Sequence, residues 1–236
     1  MIAIFKRELK SYFSSPIGYV VIAVLLALYG FFYYVTIVSG SSSNIASVVY
    51  GSMFMWSMMI IPIITMKSMS DDKKNKTDQA LLTAPVGVTS IVFGKFLAAF
   101  AVYAIAMVVS LIPAFILSFF ASAMSWGGVI GTFFGSLFYG AAMISIGVFV
   151  SSLTESQIIA AIGTFGISIF LILIDQLGSV LNSAVVTKIV GWLSFNTRYQ
   201  PFTNGIFSIP SVVFFVSVVA VFVFFTARKL ESKRWS

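Results

Sequence analysis

The 236-residue chain has no cysteine and no histidine. That excludes disulfides, Cys/His metal sites, thiol nucleophiles and imidazole acid–base chemistry; on the redox compartment it is silent. Charge is nearly as scarce. Asp, Glu, Lys and Arg make up 9% of the residues and apolar types 59%, against about 25% and about 45–50% in a soluble domain. A soluble fold could not cover its surface with so few charges. Alternating strand-like segments of about ten residues, the mark of a membrane barrel, are also missing. What is present is a set of long apolar runs and a mean hydropathy of +1.05. The expected fold class is an all-α polytopic membrane protein. Its net charge of +7 then points to basic residues gathered at one membrane face and to the lipid bilayer as a partner, not to nucleic acid.

Six runs are long enough to span: 17–38, 45–66, 91–120, 129–150, 158–174 and 210–227. At about 1.5 Å per residue, even the shortest approaches a hydrocarbon core of about 30 Å. Pro62 and Pro113 lie inside spans two and three; Pro62 either kinks its helix or eases its exit from the membrane. Ahead of the first span, Ile2, Phe5, Leu9, Tyr12 and Pro16 share one side of a helix, with Lys6, Arg7, Glu8 and Lys10 between them. This spacing predicts an interfacial helix over 1–16, with Phe5 and Leu9 on its apolar face and Lys6, Arg7 and Lys10 towards anionic headgroups. The apolar run that follows is too long for a signal-peptide core. Gly127, Gly131 and Gly135 recur every four residues in span four, a spacing that lets helices approach closely, within the bundle or between subunits. The segment 175–209, where Leu181, Val185, Ile189 and Leu193 repeat every four residues, is expected as a re-entrant outer segment.

Lys and Arg fix the orientation. The N-terminus, the 67–95 stretch and the C-terminal tail hold three, five and four of the 14 basic residues. Six spans place those regions on one side, the cytoplasmic side by the positive-inside bias of a bacterial-type inner membrane. Both termini are therefore expected in the cytoplasm, and the whole chain reads as a single transmembrane domain.

Catalytic signatures are missing too. HExxH requires histidine, GxSxG does not occur, and Gly94-Lys95 lacks both the Walker A spacing and its Ser/Thr. The span interiors carry no ionisable residue apart from Lys95 at an edge, which is read as an interfacial anchor and argues against proton or sodium coupling. The chain is expected to be no enzyme, with no cofactor or metal of its own, and its energy to come from outside.

The 67–90 loop is the place for that input. Asp71 and Asp72 suit a helix first turn, Thr77 suits the start of a short helix over 78–83, and Pro85 with Gly87 ends it. Leu81 and Leu82 give this helix an apolar patch. The sequence from Asp71 through Thr77, Gln79, Leu81, Leu82 and Pro85 resembles the loop after the second span of type-2 ABC transporter permeases. That family's pattern is a charged cluster, then Gly-Thr-x-Glu-x-Leu-Leu, then Pro. Gly94-Lys95 and the overall layout are also similar, in the manner of the gliding-motility and nitrous-oxide-reductase-maturation permeases. Two positions depart: Lys76 stands at the family's Gly and Gln79 at its Glu.

The resemblance implies a permease subunit of an ATP-driven exporter. Two copies, or this chain with a sister permease, would pair and bind separate ATP-binding cassette subunits that hold ATP-Mg. The 67–90 loop would be the coupling helix. Spans two and five would line the path, offering Met55, Trp56, Met59, Thr164 and Ser168. An ATP-independent channel or carrier, or a membrane scaffold or assembly factor, is the alternative.

Overall fold

The computed structural model describes residues 1–39, 45–83, 86–119, 126–180, 191–192 and 194–235, which are helical apart from short connections. The helices are α1 (Ile2–Ser14), α2 (Pro16–Val38), α3 (Ile45–Lys74), α4 (Thr77–Thr83), α5 (Val88–Val109), α6 (Leu111–Ser118), α7 (Trp126–Leu153), α8 (Gln157–Val180), α9 (Phe195–Thr203) and α10 (Ile209–Trp235). Six segments are long and apolar enough to cross a membrane: Pro16–Val38, Val48–Lys74, Val88–Ile116, Trp126–Leu153, Gln157–Ile174 and Ile209–Ser232. The protein is thus an all-α, multi-pass membrane protein.

Several boundaries differ from the sequence reading, each for a local reason. No glycine or proline interrupts the chain between Met66 and Lys74, so α3 runs on past the membrane-length segment. Asp71 and Asp72 therefore close α3 instead of opening a new helix. Their charge opposes the dipole there, and Lys73 and Lys74 in the same turn offset it. The third span breaks at Ser110 between α5 and α6. Pro113 has no N–H for the carbonyl of Val109 and its ring crowds that carbonyl. Ser110 eases the break, its hydroxyl donating to Met107 O at 2.7 Å. The fifth helix continues to Val180 and the sixth through the basic tail. Within the expected outer segment the structure describes α9, whereas Leu181, Val185, Ile189 and Leu193 fall outside the described residues.

α3 is the central helix, packed by α2, α5, α7 and α8. α7 runs along it and uses its glycines to come close. Gly147 lies against Thr65 of α3, and Gly140 against the ring of Tyr103 on α5. Gly131 and Gly135 lie under α9: a Cβ added at Gly135 would stand 2.6 Å from Phe202 Cβ. The four-residue glycine repeat is thus filled, at two of its three positions, by a short helix of the same chain, while Gly127 faces open space.

The α9 seat is also polar. Ser194 Oγ caps the helix by accepting from Thr197 N at 2.9 Å. Tyr199 OH meets Ser136 Oγ of α7 at 3.0 Å and donates to Tyr50 O of α3 at 3.4 Å. The Tyr199 ring stacks on Phe54 at 5.0 Å. Inside an apolar layer a phenol has to find protein partners, and these contacts fix how deep α9 sits.

Between α3 and α4 the backbone turns through Lys76, whose φ is +57°. This left-handed conformation costs an L-residue about 1–2 kcal/mol and glycine almost nothing. The position where the related permeases carry glycine is the one where the backbone calls for it.

Two outcomes are expected in thermal unfolding of the detergent-solubilised chain. Gly135→Leu should lower stability by about 1–3 kcal/mol by overpacking against Phe202, and Gly127→Leu should leave the midpoint unchanged. Lys76→Gly should be tolerated, whereas Lys76→Val should cost at least about 1 kcal/mol.

Candidate functional site

The charged residues converge at the end of the bundle formed by α1, the last turns of α3, α4 and the first turns of α5. Each element arrives there with a defined face. α1 turns Ile4 and Tyr12 into the bundle, with Phe5, Leu9 and Phe13 packed partly against it, and leaves Lys6, Arg7 and Lys10 exposed. Ile2, expected on the apolar side, is exposed, because the buried face centres on Ile4, which meets Gly94 of α5. Tyr12 OH donates to Ile64 O at 2.8 Å, fastening α1 to the backbone of α3. Burial pushes that phenol well above its ordinary pKa, with the negative charge of Glu8 adding to the effect, so it stays a donor.

Lys95 is the centre of the site. It does not reach back to the interface as an anchor: it is 2% exposed. Its Nζ lies 2.5 Å from Asp72 Oδ2 and 3.1 Å from Glu8 Oε1, and donates to Ser68 O at 2.7 Å. One ammonium thus holds α5 to the carboxylate of α1, to the carboxylate of α3 and to a carbonyl of α3. Arg7 completes the cluster, 2.5 Å from Glu8 and 3.7 Å from Asp72. Burial works against the Arg7 charge, but the hydrogen bond to Glu8 and the nearby carboxylates outweigh it and raise its pKa. Two cations and two anions leave the four-group cluster neutral.

Asp72 passes the connection on to α4. Thr77 Oγ1 donates to Asp72 Oδ1 at 2.7 Å. Asp71 points elsewhere, accepting from Asn75 Nδ2 at 3.2 Å and from Gln157 Nε2 of α8 at 2.8 Å. Lys73 Nζ donates to Ser152 O near the end of α7. The adjoining residues Asp71, Asp72 and Lys73 of α3 therefore bind five different helices. A polar cavity of about 290 Å³ opens beside the cluster, with Arg7, Lys67, Asp72 and Lys95 among its walls.

α4 packs beside the end of α3. Leu81 is half-buried and borders a small apolar cleft with Met69, Ile91 and Leu230. It thus faces its own bundle, while Gln79 is exposed. α4 extends through Leu82; Pro85 lies outside the described residues.

The residues read as path lining separate into two groups. Met55 and Trp56 are exposed on α3, and Met59 is half-buried. Thr164 and Ser168 are fully buried. Thr164 donates to Ala160 O at 2.9 Å, and Ser168 reaches Met58 O of α3 at 3.0 Å. The Thr164 hydroxyl is spent within α8 and that of Ser168 reaches across to α3.

Sequence reading passed over Glu8 and Lys95 as members of one site. The available signal was Glu8, a lone acid in a basic helix, together with Lys95, a lone cation inside an apolar run. Among the described residues no group of His, Cys, Asp and Glu could hold a metal ion.

No curated protein matches the chain. The family model described as ABC-2 family transporter protein matches residues 2–230. With six apolar spans and a match over nearly its whole length, the chain belongs to the ABC-2 family of transporter proteins and is a membrane permease of that family.

Proposed function

We propose that this permease is the membrane subunit of an ATP-driven exporter, working as a dimer with separate ATP-binding subunits that carry ATP-Mg. The termini and α4 face the cytoplasm of a bacterial-type inner membrane, where twelve of the 14 basic residues lie. α1 rests at the membrane interface, and α4 with the exposed side of α1 forms the docking surface.

One observation carries this reading: buried Lys95 ties α1, α3 and α5 together, and Asp72 ties them to α4. A push on α4 from an ATP-binding subunit reaches Asp72 through Thr77, and Lys95 spreads it to α5 and α1. A loop that merely joined two spans would need no buried ion pair, because desolvating these charges costs several kcal/mol per ion before pairing repays it. Leu81, in the cleft that Met69, Ile91 and Leu230 also line, keeps α4 against the bundle so that the push is not lost as loop motion. On this reading Met55 and Trp56 of α3, exposed and apolar, face the path between protomers. Flexible thioether and aromatic surfaces suit an amphiphilic cargo.

Two measurements test the reading. Purification from native membranes in mild detergent with ATP present should recover a stoichiometric ATP-binding subunit; a clean preparation without one would favour the ATP-independent channel. In the recovered complex, Lys95→Met should abolish permease-stimulated ATP hydrolysis and destabilise the chain by about 1–3 kcal/mol, since it leaves the half-buried Asp72 and Glu8 to Arg7 alone. Adding Asp72→Asn should restore much of the stability but not the stimulation. Stimulation surviving in both variants would remove Lys95 from the coupling route.

A further inference from the structure

Other helices enter the hydrogen-bond ladder of α3 at two places. Pro62 brings no N–H, so the carbonyl of Met58, four residues earlier, lacks its helical donor. Ser168 of α8 supplies one. Its hydroxyl has two carbonyls within reach, Met58 O at 3.0 Å and Thr164 O of its own helix at 3.0 Å. Further along, Ser151 of α7 reaches the backbone of α3. Ser151 Oγ accepts from the N–H groups of Met69 at 3.1 Å and Ser70 at 3.0 Å, and donates to Met66 O at 3.1 Å. Both serines are fully buried. Between the two points the Thr65 side chain sits against Gly147 of α7.

A side chain inserted into a helical ladder is one of the few identified causes of bending, and proline is another. The chemistry here adds exchange. Ser168 can pass its proton between two carbonyls, and Ser151 bridges two N–H groups and one carbonyl. At Ser151 a bend can swap hydrogen-bond partners without stranding a buried polar group, which is the costly alternative. At Ser168 the Met58 carbonyl keeps its donor in the arrangement in which the hydroxyl faces it, which ties the shape of α3 to the placement of α8.

We infer that α3 is a jointed lever, and that Ser168 and Ser151 are positioning residues at its two joints, near Pro62 and at Met66–Ser70. The end carrying Asp72 swings against the half carrying Met55 and Trp56. α7 and α8 hold the joints by backbone contacts, so the swing also moves them. This rests on the reading that force enters at α4; the joints themselves are a property of the chain alone.

The absence of cysteine makes the test direct. Val48→Cys and Lys74→Cys place spin labels at exposed sites near the two ends of α3. Their distance distribution is read by pulsed electron paramagnetic resonance on the full chain in lipid nanodiscs. A straight helix would separate the two Cα atoms by about 39 Å. Wild type should give a broader and shorter distribution than Pro62→Ala, in which the restored N–H serves Met58 and the distance lengthens towards that limit. Ser168→Ala should shift the wild-type distribution and leave the Pro62→Ala distribution unmoved. Ser151→Ala should shift it also, and Ser151→Thr, which keeps the hydroxyl, should restore it. Equal Ser168→Ala shifts in both backgrounds, or an identical distribution in every variant, would overturn the joints. Trapping the ATP-binding subunit with vanadate then separates the two ideas. Labels that respond to the serine variants but not to trapped nucleotide leave the joints standing and remove the coupling reading.

Discussion

A lysine ammonium buried at the edge of a membrane protein sets the terms for everything near it. Unpaired, a charge buried there would cost several kcal/mol in desolvation. Paired, it makes Glu8 and Asp72 obligatory and brings three helices to one point. The position of α1 follows from that requirement as much as from its apolar face. So does the tolerance of Asp72 at the negative end of α3, where a helix dipole alone would disfavour it. Hydrophobic burial has little power to choose between helix arrangements inside lipid, because the surrounding medium is equally apolar. A specific ion pair with a carbonyl contact chooses well.

The bundle then relies on close approach and on hydroxyls. Glycines on α7 admit Tyr103, Thr65 and Phe202 to its backbone. Serine and tyrosine hydroxyls tie helices to each other's carbonyls, as at Ile64, Met58, Met66 and Tyr50. These contacts address the backbone of the neighbour, and their geometry changes when that helix bends. In a bundle held in this way the bend of one helix and the placement of its neighbours are set together.

Much of this architecture was legible in the sequence because a bilayer enforces length and composition. The six spans and the short helix at Thr77 follow from apolar runs and breakers. The break at Ser110 had its cause on view in Pro113, but not whether the helix would resume. Lys95 was misread because a single cation at the end of an apolar run looks like an anchor. Its partner Glu8 lies in another helix, and pairing across such a separation is settled by packing. Ser168 was read as a polar group on a path. Whether a hydroxyl on a spanning helix faces a path or a neighbour's carbonyl depends on the rotation of that helix, which α8, apolar on most sides, does not declare.

The neutral cluster also has an electrical consequence. Moving one elementary charge through the full membrane potential is worth about 2.3 kcal/mol per 100 mV. Arg7, Glu8, Asp72 and Lys95 sum to zero. A motion that carries these four groups together moves no net charge of theirs across the field. The membrane potential therefore neither drives nor opposes the cluster itself: three helices can be held by charge at this point without the joint becoming a voltage sensor.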